Sequence, residues 1–121
     1  MADKTKTKPD DAAAVAAKIA ELPAFRELAG RLHALILESA PELAPRLWYG
    51  MPGYAKAKSK PVICFFRVDD DQRVTFGITE HADLTPEPDA PDHLINSAWF
   101  LSELDEPTEQ RIAEIVRKAA R

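Results

Sequence analysis

Apolar positions along the chain first recur at helical spacing. Val15, Ile19 and Leu22 define one face over about Ala12 to Glu21, with Asp10 or Asp11 as its cap, and Pro23 closes that segment. From about Ala24 to Ser39, the positions Phe25, Leu28, Leu32, Leu35 and Ile36 form one stripe while Arg26, Glu27, Arg31 and Glu38 fall elsewhere, which predicts the strongest helix of the chain. His33 lies beside that stripe, as a surface or boundary residue. Ala40-Pro41-Glu42-Leu43-Ala44-Pro45 ends the helix and allows at most one further turn, because each proline disfavours helical backbone at the residue before it.

The period changes after Trp48-Tyr49-Gly50-Met51-Pro52-Gly53-Tyr54. Gly50 and Gly53 can each take positive φ, and Pro52 fixes its own φ and extends Met51, so the stretch predicts a rigid aromatic turn where helices hand over to strands. Ala55 to Lys60 reads as a solvated, single-sign connection, with a small anion site as the alternative. Pro61 opens the clearest strand, Val62 to Val68, with Val62, Cys64, Phe66 and Val68 on one face and Ile63, Phe65 and Arg67 on the other. Both faces are largely apolar, which predicts a central strand. Asp69-Asp70-Asp71 makes a turn, and Arg73 to Thr79 returns antiparallel with Val74, Phe76 and Ile78 inward.

Glu80 to His93 contains three prolines and almost no apolar content, so it predicts a long irregular connection. Ser97 to Glu103 reads as a further strand, and Asp105-Glu106-Pro107-Thr108 as the start of a last helix that places Ile112, Ile115, Val116 and Ala119 on one face. The order predicts an α+β fold in which a small antiparallel β-sheet packs against N-terminal helices and a C-terminal helix. A tail over residues 1–11 precedes a single domain over residues 12–121.

Composition narrows the function classes. Apolar residues at 45% and charged residues at 30% are those of an ordinary folded protein. No apolar run approaches the roughly 20 residues of a membrane span, and no apolar stretch follows a basic start as in a signal peptide, so a cytoplasmic protein without a membrane partner is expected. Residues 1–60 hold ten Lys/Arg against seven Asp/Glu, a net +3, while residues 61–121 hold six against thirteen, a net −7. That acidic balance argues against nucleic acid, whose binding rests on neutralised phosphates. The single Cys64 allows no internal disulfide and no multi-cysteine zinc site, and it sits in an apolar strand as a packed thiol.

Candidate chemistry is sparse. No nucleophile motif, phosphate loop or dinucleotide fingerprint occurs, and four glycines leave little for a phosphate cradle, so the chain reads as a non-enzyme. Trp48, Tyr49, Tyr54, Phe66, Phe76 and Trp99 could line an apolar cleft rimmed by Arg67, Arg73 or the Lys56 to Lys60 loop, binding a small molecule or a protein. Core packing accounts for the same residues. The two readings differ in whether Trp48 or Trp99 stays partly open at a concave surface. Oxygen and imidazole ligands for a divalent cation are offered by Asp69, Asp70 and Asp71 and by Glu80, His81 and Asp83.

A helix ending in Ala-Pro-Glu-Leu, the Trp-x-Gly-Met-Pro-x-Tyr motif at Trp48 to Tyr54, and Lys60-Pro61 opening an apolar strand together resemble the YdhG-like domain family. The likeness spans about Val15 to Arg121. It implies a small α+β domain with an antiparallel sheet and flanking helices. Some members are described as frataxin-like iron chaperones, which implies ferrous iron carried on acidic side chains as the alternative function. Frataxin-type binding relies on an acidic ridge along the first helix, where this chain has scattered Asp10, Asp11, Glu21 and Glu27 among Lys18, Arg26 and Arg31. The leading expectation is a binding module at the aromatic turn, acting as a monomer or homodimer.

Overall fold

A computed structural model describes residues 10–121, so most of the expected tail lies outside the described residues. The chain runs α1 (Asp10–Ala20), α2 (Arg26–Ser39), β1 (Ala44–Trp48), β2 (Met51–Ala55), β3 (Val62–Val68), β4 (Val74–Ile78), β5 (Ala98–Leu101) and α3 (Glu106–Ala119). The five strands form one antiparallel meander in sequence order, with β1 and β5 at its edges. This is the α+β arrangement that the alternation of periods predicts. Among the described residues no helix is long and apolar enough to cross a membrane.

One face of the sheet meets all three helices. Val15 and Ile19 of α1, Ala29, Leu32 and Ile36 of α2, and Ile112 and Val116 of α3 close over Tyr54, Cys64, Phe66, Val74 and Phe76. Burying such side chains contributes roughly 1.5–3 kcal/mol each, which outweighs the modest helix propensity of the β-branched residues among them. Arg31 on α2 links to Glu109 on α3 through two hydrogen bonds of 2.8 and 2.7 Å at the surface. Asp105 caps α3 as its sequence suggests, accepting from the Thr108 amide at 3.1 Å, with Pro107 in the first turn.

Three local features differ from expectation. The segment after α2 is an edge strand, β1, instead of a helical turn: Pro45 is tolerated because an edge strand leaves one row of donors unused. The Trp48 to Tyr54 stretch is accordingly a β-hairpin. Trp48 pairs with Met51 around Tyr49 and Gly50, whose φ values of 53° and 79° are those of the mirror-image turn that matches strand twist. Finally, α2 starts at Arg26 because Phe25 takes φ 59°, with its side chain packed against the core.

Candidate functional site

The six aromatics proposed from sequence do not form one site. Tyr54, Phe66 and Phe76 are completely buried in the core, although Phe66 backs the cavity beside the hairpin and Phe76 the smaller cavity beside Trp99. Tyr54 stacks on Phe66, and its hydroxyl lies 2.7 Å from His33 Nδ1. The phenol and the imidazole share this hydrogen bond, with the donor set by the imidazole tautomer. Burial keeps both groups uncharged, raising the Tyr54 phenol and lowering His33. Burial likewise pushes the Cys64 thiol up to about 12, which leaves it protonated and inert.

Trp48 and Tyr49 lie away from that core. The Trp48 ring packs 5.2 Å from Phe65 and 4.8 Å from Tyr49, and Tyr49 is 85% exposed at the hairpin tip. Their face of the sheet depends on glycine. A β-carbon on Gly53 would sit 2.8 Å from the Trp48 Cβ, and one on Gly77 would sit 2.6 Å from the Phe65 ring. A cavity of about 330 Å³ adjoins the hairpin, where Tyr49 and Met51 face Leu22 and Lys18 at the end of α1.

Trp99 is placed differently. It is half-buried, stacks on Phe76 at 5.7 Å, and forms a wall shared by two neighbouring cavities. The larger, about 940 Å³, lies between α3 and the long connection after β4, with Ile78, Leu94, Ile95 and Ile115 among its apolar lining. The smaller, about 280 Å³, is bounded by Trp99, Leu101, Pro107, Ile112 and Ile115. Arg111 and Ile115, one helical turn apart on α3, face both.

Hydrogen bonds and ion pairs hold the connection that walls this cleft. Asp83 N–H donates to the Ala119 carbonyl at 3.0 Å, Arg121 donates to the Asp83 carboxylate at 3.1 Å, and Lys118 reaches Glu87 at 3.1 Å. Hydrogen bonds from Thr85, reinforced by Arg121, hold the Asp83 carboxyl down at about 2. The Asp83 and Asp92 carboxylates bond backbone amides two residues on, which turns the chain without secondary structure.

The acidic candidates are engaged locally. Asp69 accepts from Arg67 at 3.0 Å, Asp70 from the Gln72 amide at 2.8 Å, and Asp71 from the Gln72 side chain at 3.0 Å. Glu80 and His81 are exposed beside the Asp83 turn. Among the described residues, no three His, Cys, Asp or Glu side chains gather where they could hold a metal ion.

Sequence reasoning singled out Trp99, which borders this cleft, and did not place Arg111, Ile115, Leu94 or Ile95 beside it. Arg111 reads as part of the polar face of the last helix, and only the return of residues 79–97 against that helix turns the face into a wall. No protein-family model, curated protein or solved structure matches the chain.

Proposed function

We propose that the chain is a non-catalytic binding module that takes a small amphipathic molecule in the Trp99 cleft. The observation that carries this reading is Trp99 itself: a half-buried indole, backed by Phe76, at the junction of a smaller, mainly apolar cavity and a larger one of mixed apolar and charged lining. Small-molecule sites have this character, being concave, mostly apolar and furnished with a few polar groups. The cavity of about 330 Å³ at the hairpin is the alternative place, with Tyr49 exposed at its edge. A non-catalytic role accords with an enclosed, protonated Cys64 and with a His33 already committed to Tyr54. The wider reading is of a cytoplasmic domain similar to the YdhG-like family.

The test uses anilinonaphthalene sulfonate, whose emission rises in apolar sites. Emission should rise saturably with the folded protein, survive Trp48→Phe, and be lost with Ile115→Trp, which places a bulky indole where the two cavities meet. Emission lost with Trp48→Phe and kept with Ile115→Trp would move the site to the hairpin and end this reading.

A further inference from the structure

Arg111, exposed on the outer side of α3, is the one charged side chain bordering the smaller cavity, and it also borders the larger one. It makes no hydrogen bond or ion pair with any described residue. The neighbouring cations differ: Lys118 is held by Glu87 and Arg121 by Asp83. Thr108, the other polar residue of the smaller cavity, already gives its hydroxyl proton to Asp105. The larger cavity is also lined by Asp89, Asp92 and Glu114, none of which has a basic partner among the described residues.

We infer that the ligand is an apolar monocarboxylate, with its hydrocarbon body against Trp99, Ile112 and Ile115 and its carboxylate on the Arg111 guanidinium. This rests on the binding reading above and names its ligand class. The guanidinium offers paired N–H donors whose geometry matches a carboxylate. A neutral ligand of the same shape leaves Arg111 to solvent and gains no ion pair. The smaller cavity, about 280 Å³, has room for roughly nine groups of about 30 Å³, the share of one water, which suits a ring or a medium chain. A second carboxylate on the ligand would extend into the larger cavity toward Asp89, Asp92 and Glu114, which repel it. The cleft therefore selects against both neutral and doubly charged analogues.

Trp48→Phe leaves Trp99 as the sole indole reporter. Titrating that protein at neutral pH with octanoate, octanol and octanedioate, read by Trp99 emission and by heat, separates the possibilities. Octanoate should bind saturably and at least roughly tenfold more tightly than either analogue, as a charge-assisted hydrogen bond requires. Arg111→Gln should bring octanoate to the level of octanol without moving the melting temperature. Octanol binding as tightly as octanoate, or Arg111→Gln leaving octanoate binding unchanged, would overturn the carboxylate assignment while the cleft still binds. Silence from all three would overturn it too, and the anilinonaphthalene sulfonate experiment then decides whether the cleft binds anything.

Discussion

At the scale of the residue, the His33–Tyr54 hydrogen bond couples stability to pH. Burial lowers the His33 pKa from its ordinary 6.5, so the unfolded chain binds this proton more readily than the folded one. Stability is full above about 6.5 and falls as the pH drops from there toward the folded value, ahead of the carboxylates. Denaturant unfolding at a series of pH values should show this loss, and His33→Gln should flatten it in that window. Tyr54→Phe removes only the hydroxyl and leaves Nδ1 without its partner, at a cost of about 1 kcal/mol. His33 was legible as a boundary residue. Its partner was not, because nothing in the spacing of His33 and Tyr54 along the chain shows that a helix and a strand bring them together.

At the scale of the element, the hairpin assigns its two glycines opposite jobs. Gly50 has open space around it and a φ of +79°, whereas at Gly53 the neighbouring Trp48 Cβ leaves no room for a side chain. Gly50→Val should therefore destabilise through backbone strain of roughly 1–2 kcal/mol, and Gly50→Asn should be tolerated because asparagine visits that region. Gly53→Ala should cost about 1–3 kcal/mol through overpacking whatever its backbone does. Thermal melts of the three variants check the contrast; equal losses for Gly50→Asn and Gly53→Ala would contradict it. Strand β4 and helix α3 were legible because their apolar positions repeat with a clear period, and β3 because its apolar run is unbroken from Val62 to Phe66. Edge strand β1, reading Ala-Pro-Arg-Leu-Trp, carries no alternation. A register shift between Tyr54 and Ala55 also defeats simple alternation in β3: Ile63 joins Cys64 and Phe66 in the core, while the Val62 methyls face the Gly53 side.

At the scale of the whole molecule, the sheet separates aromatics that the sequence presents as one group. Tyr54, Phe66 and Phe76 build the core, Trp48 and Tyr49 flank the hairpin, and Trp99 stands at a cleft that exists only because residues 79–97 fold back onto α3. Asp83 is central to that return, since it ties the connection to Ala119 and Arg121. Asp83→Ala should loosen the cleft wall, weakening anilinonaphthalene sulfonate binding more than it lowers the melting temperature. The most direct measurement of the central claim is the pair of indole N–H resonances given by Trp48 and Trp99 as anilinonaphthalene sulfonate is added. The cleft account predicts that the Trp99 resonance moves saturably and the Trp48 resonance stays in place; movement of Trp48 alone, or of neither, would contradict it.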